Sequence, residues 1–233
     1  MTLFVKPHPL HTGLYLIPLE NGNHSLATVN LTPGSSVYGE QLHHIDQLEY
    51  RLWNPYHSKL AAAVLRNLEC FPIQTRHKIL YLGAASGTTI SHISDIIGIQ
   101  GGIYAIEFSP RPLRELISKV ASQRTNVYPI LADARNPGNY RFLLESVDCI
   151  YCDIAQPQQA KILVDNARYF LKPGSYVMLA TKGRSIKSTG KLVQIFQNEI
   201  TYLRSRDFSI DQTIDLEPYH SAHLMVVARY RSS

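Results

Sequence analysis

Cysteine is scarce in this chain, and long apolar runs are absent. Three cysteines in 233 residues is an odd and small number, so no disulfide framework is implied. Cys149-Ile150-Tyr151-Cys152 has C-x-x-C spacing, but it sits on the apolar run Val147 to Tyr151, which reads as a strand. Residues three apart on a strand point to opposite faces, so this pair cannot chelate one ion. There is no second C-x-x-C and no C-x-x-H, and no metal site is expected. No apolar run approaches the roughly twenty residues that a membrane-spanning helix needs. Lys6, Pro7, His8 and Pro9 break any signal-peptide core near the N-terminus, so the protein is read as intracellular, with no membrane role.

Two nucleotide-binding fingerprints are also missing. No Gly-Lys-Ser/Thr follows the glycine loop, which argues against a P-loop nucleotide hydrolase. The loop spacing is Gly83-x-x-x-Gly87 with Ala85 between, not the G-x-G-x-x-G that lets backbone approach a pyrophosphate. Net charge is only +5. That permits a polyanionic partner but is too small for strong sequence-independent RNA binding by the chain alone.

What the chain does have is the run Lys78-Ile79-Leu80-Tyr81-Leu82-Gly83-Ala84-Ala85-Ser86-Gly87-Thr88-Thr89. It reads as an apolar strand, a tight loop of small residues and the start of a helix. Such loops let the backbone itself touch a ligand, and a helix N-terminus presents unpaired N–H groups. The next apolar run ends at Glu107, where nucleotide-binding α/β folds place a carboxylate for ribose hydroxyls. Ribose recognition without a phosphate loop suits S-adenosylmethionine. A glycine loop that only turns a strand into a helix is the plainer alternative.

The first fifty residues alternate short β-type runs (13–17 and 25–29) with turns at 20–23 and 32–34, suggesting a small β-hairpin module bounded near 50–54. Residues 58–68 have helical spacing. From Lys78 on, strands are expected at 79–82, 102–107, 127–131, 147–153 and 175–181. Helices are expected at 88–97, 110–123, 137–145, 157–171 and 189–206. Ser109-Pro110 fits a helix cap and first turn, and Lys172-Pro173-Gly174 a helix stop. Strands at 208–216 and 223–230 follow without a helix, as a terminal antiparallel hairpin. The expectation is an α/β, Rossmann-like methyltransferase domain over 54–233 behind a β-rich module over 1–53. Asp133, Asp153 and Lys182 then fall at successive strand ends, beside Glu107.

Many segments taken together resemble the fibrillarin family, the methyltransferases of box C/D ribonucleoproteins. They are Asn30-Leu31-Thr32-Pro33-Gly34, Val37-Tyr38-Gly39-Glu40, Glu49-Tyr50-Arg51-Leu52-Trp53-Asn54-Pro55, Ser58-Lys59-Leu60-Ala61-Ala62-Ala63 and the Leu80–Thr89 run. Further matches are Ser91-His92-Ile93-Ser94-Asp95, Glu107-Phe108-Ser109, Asp153-Ile154-Ala155-Gln156-Pro157 and Leu216-Glu217-Pro218-Tyr219 with His223.

The resemblance implies methyl transfer from S-adenosylmethionine to ribose 2′-hydroxyls of rRNA, with tRNA a second candidate, at positions chosen by a guide RNA. It implies a cofactor site of Gly83, Ala84, Ser86, Gly87, Thr88, Thr89, Glu107, Phe108, Asp133, Ala134, Asp153, Ile154, Ala155 and Gln156. It implies Lys59, Asp153, Lys182 and His223 as the catalytic group. His220 is a nearby decoy, and Lys59 alone would read as a solvated helix lysine. Implied partners are a Nop-domain scaffold protein, a kink-turn RNA-binding protein, a C/D guide RNA and the target RNA. Two departures stand out: Ser185-Ile186-Lys187 replaces the family's Ser-Ile-Asp, and a Gly/Arg-rich tail is lacking. The latter suits an archaeal-type, cytoplasmic protein over a nucleolar one. A non-catalytic structural subunit and a protein glutamine methyltransferase are the competing readings.

Overall fold

The computed structural model describes residues 5–19, 22–183 and 189–231; Lys187 lies outside them. The N-terminal part is larger than a hairpin. Strands β1 (Lys6–Pro7), β2 (Tyr15–Pro18), β3 (His24–Val29), β4 (Leu42–Ile45) and β5 (Leu48–Leu52) form one antiparallel sheet in the order β1-β2-β3-β5-β4. Its last strand ends at Leu52, and Tyr50 to Leu52 pair with β3. The strand was hidden because Glu49 and Arg51 occupy buried positions in it. Charged residues there break the apolar alternation by which a strand is recognised.

Helix α1 (Lys59–Leu65) follows, capped by Ser58, whose hydroxyl accepts from the Ala61 amide. Its run Leu60-Ala61-Ala62-Ala63-Val64 is buried. The main sheet is built from β6 (Lys78–Leu82), β7 (Gly102–Glu107), β8 (Val127–Leu131), β9 (Val147–Cys152), β10 (Leu171–Lys182), β11 (Phe208–Asp215) and β12 (His223–Tyr230), in the order β11-β12-β10-β9-β6-β7-β8. Strands β6 to β10 pair in parallel, and β12 runs antiparallel between β10 and β11. Helices α2 (Thr88–Ile97), α3 (Pro110–Leu116, extended by a π-helical turn to Ala121), α4 (Gln159–Phe170) and α5 (Thr189–Arg204) make the connections.

Because both faces of the sheet are covered, its central strands are continuously apolar. Ile79, Tyr81, Cys149 and Tyr151 belong to one core, with α1, α2 and the inner residues of the N-terminal sheet. Leu80, Leu82, Ile150 and Cys152 belong to the other, against α4. Cys149 and Cys152 thus lie on opposite faces.

Three local expectations differ. Residues 137–143 form a 3₁₀ segment, not an α-helix, which suits a short stretch opening Pro-Gly-Asn. Ser109 makes no side-chain cap; its amide donates instead to Glu107. Strand β10 begins directly after α4, and Lys172 to Gly174 lie inside it, where the register with β9 shifts between Leu171 and Tyr176.

The two sheets are joined by a buried polar network. Asp95 on α2 accepts from Arg51 at 2.9 Å, Arg124 at 2.5 Å, the Thr28 hydroxyl at 2.7 Å and the Leu31 amide at 2.9 Å. Arg51 also binds Glu40 and the Ser91 hydroxyl. His92, stacked on Trp53 at 4.8 Å, contacts Thr28 and the Tyr38 hydroxyl. Burial, with Arg51 and Arg124 nearby, holds its imidazole pKa well below the usual value.

Removing one partner of a buried pair strands the other charge, so Asp95→Ala should cost about 3–5 kcal/mol in denaturant unfolding. His92 sets a pH dependence. Below about pH 6.5 the unfolded chain binds a proton that native His92 refuses, so stability falls as pH falls. In His92→Gln the stability–pH slope between about pH 6.5 and 5 should be shallower, by up to about 1.4 kcal/mol per pH unit.

Candidate active site

The chain leaves β6 and β7 toward one side of the sheet and β9 and β10 toward the other. β6 and β9 are therefore neighbours at a topological switch point, where open α/β sheets bind ligands at strand carboxyl ends. Gly83 (φ +86°) turns the chain there. A Cβ at Gly83 would stand 2.4 Å from the Asp153 carbonyl oxygen, so the loop after β6 packs directly on the loop after β9. The Gly83 and Ala84 amides donate to the Ile106 carbonyl, and the Asp153 amide donates to the Leu82 carbonyl. Three strand ends are tied together by backbone alone.

Two adjoining cavities open over this junction. The first, about 420 Å³, is lined by the loop Gly83, Ala84, Ala85, Ser86, Gly87, Thr88 and Thr89, and by Lys59, Asp153, Lys182 and His223. The second, about 310 Å³, is lined by Glu107, Phe108, Asp133, Ala134 and Gln156 among others. Gly83, Ala85, Asp153, Ile154 and Ala155 line both. Every residue that the resemblance placed in the cofactor site or the catalytic group therefore borders one of the two cavities. His220 does not; its ring is tied to the Pro55 carbonyl at 2.8 Å.

In the first cavity Lys59, from the start of α1, reaches both Asp153 oxygens at 2.7 and 2.8 Å. Both side chains are about four-fifths shielded from solvent. Lys182 is the last residue of β10 and is paired in register with His223 on β12. It makes no ion pair among the described residues. The Nδ1 of His223 lies 2.7 Å from the Ser221 carbonyl, so Nδ1 carries the hydrogen and Nε2 is the open acceptor of the neutral ring. Burial, followed by Lys59 and His220, lowers the His223 pKa, while Asp153 and the Ser221 contact oppose this.

In the second cavity Glu107 accepts the Ala85 amide and the Ser109 amide, each at 2.8 Å. Each oxygen retains a lone pair for a diol. Phe108 is exposed and lines that cavity.

Further side-chain contacts tie the lining together. Thr89's hydroxyl pairs with Ser58 at 2.9 Å and with Tyr81. Gln159 is buried and joins the loop after β9 to the end of β10: its amide donates to the Ile154 and Ala180 carbonyls and accepts from the Lys182 amide. Arg135 binds Asp133 and holds that carboxyl below its usual pKa. Gln159 lies two residues past the Asp-x-Ala-Gln-Pro motif, and Arg135 two past Asp133; neither spacing is diagnostic. Among the described residues no group of three or more His, Cys, Asp or Glu could hold a metal ion.

The donor set fits an adenosine joined to an amino-acid chain. There is a backbone-lined loop for the polar end, a carboxylate for the ribose and an aromatic face for the base. No lysine follows the loop to meet phosphates. Sheet order, the inserted antiparallel β12 and this site define a Rossmann-like methyltransferase.

The fibrillarin profile matches residues 5–232, and the chain belongs to that family. It is 55% identical over 226 residues to the fibrillarin-like rRNA/tRNA 2′-O-methyltransferase of Pyrobaculum calidifontis, covering 97% of each chain. It is similar to Aeropyrum pernix fibrillarin in complex with natively bound S-adenosyl-L-methionine (TM-score 0.92, 46% identity, 97% and 98% of the two chains). It is also similar to fibrillarin in a fibrillarin/Nop5p complex (TM-score 0.79, 38% identity, 94% and 98%).

The Gly83 junction makes a direct prediction. Gly83→Ala adds a methyl where both φ and the Asp153 carbonyl forbid it. It should cost about 2–4 kcal/mol in denaturant unfolding, combining left-handed strain with overpacking. Ala84→Gly, one residue on, should cost less.

Proposed function

We propose that this protein is the catalytic subunit of a box C/D ribonucleoprotein. It transfers methyl from S-adenosylmethionine to ribose 2′-hydroxyls of rRNA, with tRNA a second substrate class, at positions set by a guide RNA. The observation that carries the reading is the bidentate Lys59–Asp153 pair over the glycine loop, where two strand ends meet. The scaffold partner is a Nop-domain protein, in keeping with the relative found with Nop5p. A kink-turn-binding protein and the guide RNA complete the assembly and supply the RNA affinity that a net charge of +5 does not.

Bound S-adenosylmethionine supplies an electrophilic methyl on a sulfonium centre. Glu107 would hold its ribose diol, Phe108 would cover the adenine, and Asp133 with Ala134 would border that ring. Loop residues Gly83 to Thr89 and Asp153 to Gln156 would seat the amino-acid end. On the acceptor side, a ribose 2′-hydroxyl is a weak nucleophile until its proton leaves. Lys59, oriented by Asp153, stabilises the oxygen as charge develops there. Nε2 of His223 receives the proton, the neutral ring being favoured by burial. Lys182, across from His223, adds a second cation beside the anionic RNA. Most of the acceleration is positional, since the transfer is an in-line displacement between two held groups.

Methyl transfer in the assembled particle tests this, using a matched target RNA and the same RNA with a 2′-deoxy target. Label on the matched RNA alone is expected; label on neither, or on protein instead, overturns the reading. Lys59→Ala should lower kcat by about 10²–10³-fold while cofactor Kd stays within about threefold.

A further inference from the structure

One exposed aromatic residue adjoins the lining of the acceptor-side cavity in sequence and is unused by the chemistry above. Tyr56 is 61% exposed. It immediately precedes His57, which lines the first cavity, and lies three residues before Lys59. A single exposed aromatic is ordinary; what sets Tyr56 apart is its place beside the turn that delivers Lys59.

The surrounding structure holds the ring in place. The Tyr56 amide donates to the Asn54 side-chain oxygen at 2.9 Å, and the His57 amide donates to the Asn54 carbonyl at 3.1 Å. His220 pins the Pro55 carbonyl at 2.8 Å. Tyr219 and Tyr56 form a T-shaped pair, with centroids 5.2 Å apart and planes at 71°. A T-shaped partner covers at most one face of a ring and leaves the other available. Directly after the loop, Ser58 caps α1 and launches Lys59 toward Asp153. The ring and the catalytic lysine are thus fixed to one rigid turn.

We propose that Tyr56 is a base-stacking platform for the target strand, receiving the base of the methylated nucleotide or of its immediate neighbour. This rests on the RNA 2′-O-methyltransferase reading. The physical argument is one of reach and tolerance. The ribose must enter the cavity beside Lys59, so its base or the adjacent one is left at the rim. A guide-directed enzyme meets every base at that position, and an aromatic face accepts any of them because each has a π-face. Hydrogen-bonding side chains would impose a sequence preference instead. Lys182, uncompensated at the same mouth, suits the adjoining phosphate.

The test uses the assembled particle and target RNAs carrying 2-aminopurine at the methylated position or at either neighbour. Docking on wild-type protein should quench the fluorescence at one of the three positions. Tyr56→Ala should lose that quenching and raise KM for target RNA by about 5- to 100-fold, the size of one base–aromatic stack. Tyr56→Phe and Tyr56→Trp should restore both. Cofactor affinity and thermal stability should stay at wild-type values in all three variants. Equal quenching and KM in wild type and Tyr56→Ala overturn the platform even though methylation proceeds. Weakened binding of the Nop-domain partner by Tyr56→Ala, with KM for RNA unchanged, also overturns it and makes the ring a protein contact. The quenching needs RNA docking but no methyl transfer. Tyr56-dependent quenching without 2′-O-methylation would therefore support the platform while overturning the enzymatic reading.

Discussion

One carboxylate holds the two sheets together. Asp95 receives two guanidinium groups, one hydroxyl and one backbone amide, from β3, β5, the loop after β3 and the segment before β8. Isolated charges at this depth would be prohibitive, and they are tolerated only because every partner is answered. Arg51 is answered by Glu40 and Ser91, and Arg124 by Asn30 and Thr32 as well. The N-terminal sheet is therefore no appendage. Leu14, Leu26 and Trp53 share a core with α1 and α2, and α1 begins only six residues after Trp53, with Lys59. The network that seats the sheet thereby also seats the turn that delivers Lys59 and Tyr56.

The site itself is rigid for a different reason. Its frame is backbone: Gly83 against the Asp153 carbonyl, Gly83 and Ala84 on Ile106, and Asp153 on Leu82. Side chains then add cross-links that a static pocket needs, with Glu107 binding two loops and Gln159 joining the loop after β9 to the end of β10. Such a frame suits a reaction in which geometry supplies much of the rate. The groups proposed to meet the RNA are side chains instead: Lys182, His223 and the Tyr56 ring.

Much of the larger sheet was legible because buried parallel strands leave continuous apolar runs, as at Ile79 to Leu82 and Val147 to Cys152. The position of Glu107 and Asp153 at strand ends followed from those runs. The N-terminal strands β4 and β5 were not legible, since Glu49 and Arg51 are core residues whose partners lie 40 or more positions away in some cases, as with Ser91. Local pattern carries no information about such pairing. The same holds for Gln159 and Arg135, which are ordinary polar residues until the fold brings carbonyls and a carboxylate to them. Lys59, by contrast, entered through family resemblance, and its own helical context would have read as solvated.

Cys149 and Cys152, facing opposite cores, also bear on how the protein meets oxidants. Burial raises the pKa of both thiols far above the ordinary thiol value, and a thiol kept protonated and out of solvent is a poor nucleophile. Cys70, the third, is only partly shielded, and burial raises its pKa too. The protein accordingly carries little thiolate for peroxide or disulfide exchange to find. An alkylating probe would enter first at Cys70, which lines neither of the two cavities at the cofactor loop.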